Sequence, residues 1–193
     1  MASAAAAMAG EEAARYTRVA VALHWIIALL LIGNILLGFY HEDFGKAAAG
    51  WLMFFHKAIG MTVLGLTLAR LAWRLTHRPP TFDPVLKRWE RGLAHAIHWL
   101  FYAMLIGIPL SGWMMSSSGG RMTSFWGLFN IAPLPVPRSH DARELFEGAH
   151  EILAKVTIGL ILLHVAGALK HHLEGHKHLA GRMAPWLYRG GSR

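Results

Sequence analysis

Histidines set inside long apolar stretches constrain this chain more than any other feature. The stretches cover residues 19–40 (containing VALHWIIALLLIGNILLGFY), 51–73 (opening WLMFFHKAIG), 93–115 and 150–169, the last with an earlier helix start left open. Each is near the roughly 20 residues a helix needs to cross a hydrocarbon core of about 30 Å. His24, His56, His150 and His164 lie within or at the start of these spans. An ionisable side chain in a membrane is costly and demands a partner. Imidazoles facing one another across a helix bundle suit a metal, and haem iron is the candidate with room to spare between helices. A membrane electron carrier is therefore the first expectation.

Composition agrees. The chain has 193 residues, of which 54% are hydrophobic and 16% charged. That is too apolar for a soluble domain, and one membrane domain uses nearly the whole length. The expected fold is an all-α membrane protein, a bundle of four transmembrane helices. The net charge of +8 comes from basic residues at the ends of apolar runs. These read as orientation signals, which excludes nucleic acid as the partner and leaves the lipid bilayer. Of the 19 basic residues, only Lys46, Lys57, Arg121, Arg138, Arg143 and Lys155 fall on one side. The positive-inside rule then puts both termini in the cytoplasm. With no cysteine, disulfides, thiolate-bound clusters and CxxCH attachment are excluded, so any haem is held non-covalently.

Trp25, Tyr40, Trp51, Trp73, Trp99 and Trp113 fall towards span ends, where amphipathic rings settle at the interface. Pro109 is an expected kink. Residues 1–15 read as a disordered cytoplasmic tail and not a cleaved signal, because Glu11 and Glu12 interrupt them and no apolar core follows. Residues 16–175 form the expected bundle, and 176–193 a cytoplasmic tail. Residues 116–149 make the longest connection, with APLPVP and the amphipathic SHDARELFEGAH. Such a segment is either a cover, a binding loop or a plain linker.

Depth pairs the histidines. His150 and His164 are fourteen residues apart, roughly 21 Å along a helix and within roughly 40° of one face. His24 follows Arg18 by six residues and His164 precedes Lys170 by six, which places both near the cytoplasmic surface. His56 and His150 lie near the outer one. Gly60, Gly65, Gly159, Gly167, Ala20 and Ala28 leave room for a flat macrocycle, or simply let membrane helices approach. His98 sits at the depth of His24 and His164, so geometry alone leaves it open as an inner ligand. The tract KHHLEGHKH is either metal-binding or a solvated, titratable face.

The segments RYTRVAVALHW, FFHKAIG, GLAHAIHWL and AHEILAKVTIGLILLHVAGALKHH resemble, in order and interval, the bacterial cytochrome b561 family of four-helix dihaem membrane proteins. The resemblance covers about residues 16–172. It implies two haem b groups with His24, His56, His150 and His164 as axial ligands. His95 and His98 become hydrogen-bonding groups beside a haem or on the quinone side. It also implies electron exchange with ubiquinone at a bacterial inner membrane. Some members resemble superoxide oxidases, which would make this chain a superoxide:ubiquinone oxidoreductase. Related cytochromes b are non-catalytic haem subunits of hydrogenases or dehydrogenases, the alternative reading. Lys57, adjoining His56, and Arg143, with Arg121 and Arg138, would steer a small anion such as superoxide or neutralise haem propionates. The donor is otherwise a periplasmic redox protein.

Overall fold

The computed structural model describes residues 16–77, 79–81 and 85–184. The expected tail at 1–15 and the end of the C-terminal tail lie outside the described residues. Four helices carry the architecture: α1 (Arg18–Tyr40), α2 (Gly45–Thr76), α3 (Arg88–Ser118) and α4 (His140–Leu173). A 3-10 turn, His41–Phe44, links α1 to α2, and a short α5 (Lys177–Gly181) follows α4. All four long helices are long and apolar enough to cross a membrane. The four-helix expectation is borne out. Leu29, Ile32 and Leu36 repeat at helical spacing on α1 and are 68%, 50% and 53% exposed. A face that apolar has no partner among the described residues, and lipid is the solvent that suits it.

Three helices begin well before their apolar runs, α3 by five residues, at Arg88 instead of Leu93. α2 begins at Gly45 because KAAAG is rich in a strong helix former, so the helix starts before the apolar run does. α4 begins at His140, ten residues before the apolar run at His150, the earlier start that the sequence left open. The cause is an N-cap: the Ser139 hydroxyl accepts from the Ala142 N–H at 3.1 Å, and Asp141 sits in the positive first turn. SHDARELFEGAH is thus the polar head of α4, and His150 lies well inside the helix. α3 runs through Pro109 without a break.

The connection from α3 to α4 holds a small antiparallel hairpin, β1 (Thr123–Phe125) with β2 (Phe129–Ile131), a departure from a purely helical fold. It is tied down rather than free. Trp126 Nε1 donates to Thr62 Oγ1 of α2 at 2.9 Å, Trp113 Nε1 of α3 donates to the Ala132 carbonyl at 3.1 Å, and the Leu134 N–H donates to Ser117 Oγ at 2.9 Å.

Close packing among the helices follows chain order: α1 with α2, α2 with α3, α3 with α4. A tight apolar centre of Ile27, Val63 and Leu105, with Leu30, Ile59 and Phe101 against it, joins the first three. α4 packs on α3, and its His164 and His150 rings face His24 of α1 and His56 of α2. Both chain ends of the described part lie at one end of the bundle. There Trp73 Nε1 donates to Thr17 Oγ1 and Trp25 Nε1 to the Met183 carbonyl.

Candidate haem-binding site

Two groups of histidines form, one towards each end of the bundle. At the level of the hairpin, His56 of α2 and His150 of α4 have ring centroids 6.0 Å apart with planes at 74°. At the level of the chain ends, His24 of α1 and His164 of α4 are 6.3 Å apart with planes at 61°. Metal–imidazole bonds of about 2 Å on either side of one ion put ring centroids about 6 Å apart. Both separations therefore suit a metal held between two axial imidazoles.

The hairpin-level pair, labelled outer after the orientation expected from charge (the other group is labelled inner), is held from behind. His56 Nδ1 is 3.0 Å from the Asn34 carbonyl of α1. His150 Nδ1 is 2.9 Å from the Ile108 carbonyl of α3, with Ser111 Oγ at 3.1 Å. A carbonyl only accepts, so in each ring Nδ1 carries the proton and Nε2 keeps its lone pair for a ligand. Glycine makes the space. A Cβ on Gly38 would meet His56 Cε1 at 2.9 Å, and one on Gly112 would meet His150 Cε1 at 3.2 Å. Between the two rings runs a mostly apolar cavity of about 330 Å³, lined by Leu31, Ile35, Gly60, Met61 and Leu105 among others. That volume falls within the roughly 300–1,000 Å³ of ligand pockets. Apolar walls, two ring nitrogens and room for a flat group suit a porphyrin.

The inner group holds three imidazoles. His98 of α3 lies 5.8 Å from His164, as near as His24 is, and the Phe101 ring packs on His164 at 5.6 Å. His164 is thus common to both pairings, and the competition is between His24 and His98. His98 shares a hydrogen bond with the Ala94 carbonyl one turn back. Arg70 of α2 stands within electrostatic range of His24, His98 and His164, and its Nη1 reaches the Ala20 carbonyl at 3.4 Å.

Of the other expected groups, Lys57 lines the outer cavity beside Glu147 and Glu151. Arg121 and Arg143 lie close enough for their charges to act on it. Arg143 also approaches Glu147, Nε to Oε2 at 4.0 Å. His95 stands apart from the trio: it is exposed, and its Nε2 accepts from Trp99 Nε1 at 3.0 Å. Gly60 lines the outer cavity, and nothing lies within 4 Å of a Cβ placed on Gly65, Gly159 or Gly167.

Sequence reasoning missed Asn34, Ser111, Gly38, Gly112 and Arg70. Asn34 acts through its backbone carbonyl, which any residue there would supply, so its amide side chain carried no signal for this role. Gly38 follows it by one turn on the same face. Ser111 and Gly112 carried none, because their value comes from α4 lying opposite.

A four-helix membrane bundle with facing imidazoles at two levels is the build of a membrane haem protein. Residues 15–186 match the family model described as prokaryotic cytochrome b561, and the chain belongs to that family of membrane haem proteins of electron transport. Cytochrome b561 homolog 2 of Escherichia coli (strain K12) is 28% identical over 165 residues, covering 82% of this chain and 85% of the relative. A Yersinia pestis protein named "Probable superoxide oxidase CybB" is 27% identical over 175 residues, covering 89% and 96%. Cytochrome b561 homolog 1 of Escherichia coli (strain K12) is 27% identical over 173 residues, covering 89% and 97%.

Proposed function

We propose that the chain holds two b-type haems non-covalently, one between His24 and His164 and one between His56 and His150. In this reading it passes single electrons across a bacterial inner membrane from an outer donor to the ubiquinone pool, with both termini cytoplasmic. The observation that carries the proposal is the pair of imidazole couples, 6.0 and 6.3 Å between ring centroids, towards opposite ends of one bundle. When bound between these imidazoles, haem would supply a one-electron iron couple.

The chain's own groups do the rest. The Asn34 and Ile108 carbonyls hold the outer imidazoles in the tautomer that offers Nε2. Lys57, with Arg121 and Arg143 near it, makes the outer mouth cationic, which draws a small anion inward or neutralises propionates. His98, with Arg70 behind the trio, is placed to hydrogen-bond a haem edge or a quinone oxygen. His95 lies on the same helix, one turn before Trp99.

Superoxide is the donor we favour, on those cations and on the printed name of the Yersinia pestis relative. Two superoxide ions each release one electron and leave as dioxygen. Quinone takes the two electrons with two protons and leaves as quinol.

The test is a reduced-minus-oxidised visible spectrum of the purified chain with haem quantified per polypeptide. A b-type spectrum with two haems is expected, and His56→Ala should halve the content. A colourless protein after hemin reconstitution overturns the proposal. If the coloured chain does not reduce ubiquinone with superoxide, the donor assignment fails and a haem-bearing subunit of a larger redox complex replaces it.

A further inference from the structure

Beyond the haem residues, the end of α4 gathers a third set of metal-binding groups. One ring nitrogen from each of His171 and His176 and a carboxylate oxygen of Glu174 all lie within 4.8 Å of one another. We propose that His171, Glu174 and His176 form a site for a divalent transition ion of the zinc class, at the end of the bundle where Thr17 and Met183 also lie.

The local fold builds the cluster. His171 and Glu174 are three apart at the end of α4, so they share a face. Gly175 then turns the chain with φ +89°, a conformation glycine adopts without steric cost. The His176 N–H donates back to the His171 carbonyl at 2.9 Å and the Gly175 N–H to the His172 carbonyl at 3.2 Å. This C-terminal cap folds the His176 ring over the helix end. The two rings stand 6.4 Å apart at 62°, close to the separation of the haem-level pairs.

The Nδ1 atoms of His171 and His176 are both shielded from solvent, and Glu174 Oε2 is 3.3 Å from His171 Nδ1. The carboxylate is supported from behind: Lys170 Nζ lies 3.3 Å from Glu174 Oε1 and 2.6 Å from Glu90 Oε1 of α3. Ligating carboxylates are commonly held this way. The last carbonyls of α4 add the negative end of a helix dipole, which favours a cation.

Two imidazoles and a carboxylate select zinc or its neighbours over calcium or magnesium, which take oxygen ligands. Zinc bonds of about 2.0–2.2 Å need donors about 3.4 Å apart. Glu174 Oε2 and His171 Nδ1 already meet that spacing at 3.3 Å, and rotation of the His176 ring with the exposed Glu174 would close what remains. A bound ion would pin the start of the segment that carries α5 to Met183, whose carbonyl receives Trp25 Nε1 beside His24.

The test uses the untagged, haem-loaded full chain dialysed against zinc chloride at micromolar free zinc. Retained zinc is counted by elemental analysis and its neighbours are read by X-ray absorption at the zinc edge. One zinc per chain with imidazole scattering from two rings is expected. His176→Ala should weaken retention at least about tenfold and leave the haem spectrum unchanged, while His140→Ala, at the opposite end of α4, should change neither. No retained zinc, a zinc spectrum without imidazole, or equal retention in His176→Ala would each overturn the site. Because the haem spectrum is read separately, a failure here is distinguishable from a failure of the haem assignment.

Discussion

The histidines were legible one by one, while their neighbours were not. An imidazole in an apolar run announces itself, but the glycine that makes room for it does not. Gly38 shows the difference: its Cα faces the His56 ring so closely that a methyl would lie 2.9 Å from Cε1. We expect Gly38→Ala to displace that ring and remove or perturb the outer haem alone. A redox titration should then lose one of two components, and two unchanged components would show that the ring does not depend on the space. At the inner level the structure sharpens the question, since His164 faces His24 at 6.3 Å and His98 at 5.8 Å. Under the pairing proposed, His24→Ala loses the inner haem and His98→Ala keeps both. Haem content per chain decides it, and the reverse result would make His98 the ligand. Depth counting had placed all three rings at one level and could not choose among them, because depth says nothing about which helix faces which.

The elements show where hydropathy misleads. Apolar content marks where a helix enters lipid, whereas caps and propensity mark where it begins. α2 and α4 both start well before their apolar runs, at Gly45 and His140. The shifts are six and ten residues, yet His56 and His150 lie opposite each other, eleven and ten residues into their helices. The polar head of α4 rests on Ser139, and Ser139→Ala should cost about 1 kcal/mol of that end. Hydrogen exchange should rise over residues 140–146 and stay unchanged at His164. Unchanged exchange at both would mean that tertiary packing, not the cap, holds the head. The connection before α4 was expected to cover something, link or bind. The structure makes it a hairpin anchored on α2 and α3 through Trp126 and Trp113, with Thr123 on the wall of the outer cavity.

At the scale of the whole molecule, charge sets two expectations. The chain contains no cysteine, so a single one reports its own side of the membrane. A cysteine at Arg138 should react with an impermeant maleimide in spheroplasts, and one at Lys87 only after the membrane is opened. The opposite pattern would invert the topology. If the cations around Lys57 steer superoxide, its on-rate should fall steeply between low and physiological salt, where the Debye length shrinks to about 8 Å. A flat response would leave those cations to the propionates. What the amino-acid order determined alone was the solvent and the inventory: four spans too apolar for water, a set of imidazoles at two depths, and no thiol. These depend on local composition and helical rise, which need no partner. What only the tertiary structure decided was who faces whom. It set the three-imidazole group around His164, the carbonyls behind His56 and His150, and the fold-back of His176 onto His171. Each of those depends on helix rotation and on contacts between residues distant in the chain, and periodicity within one helix carries no record of either.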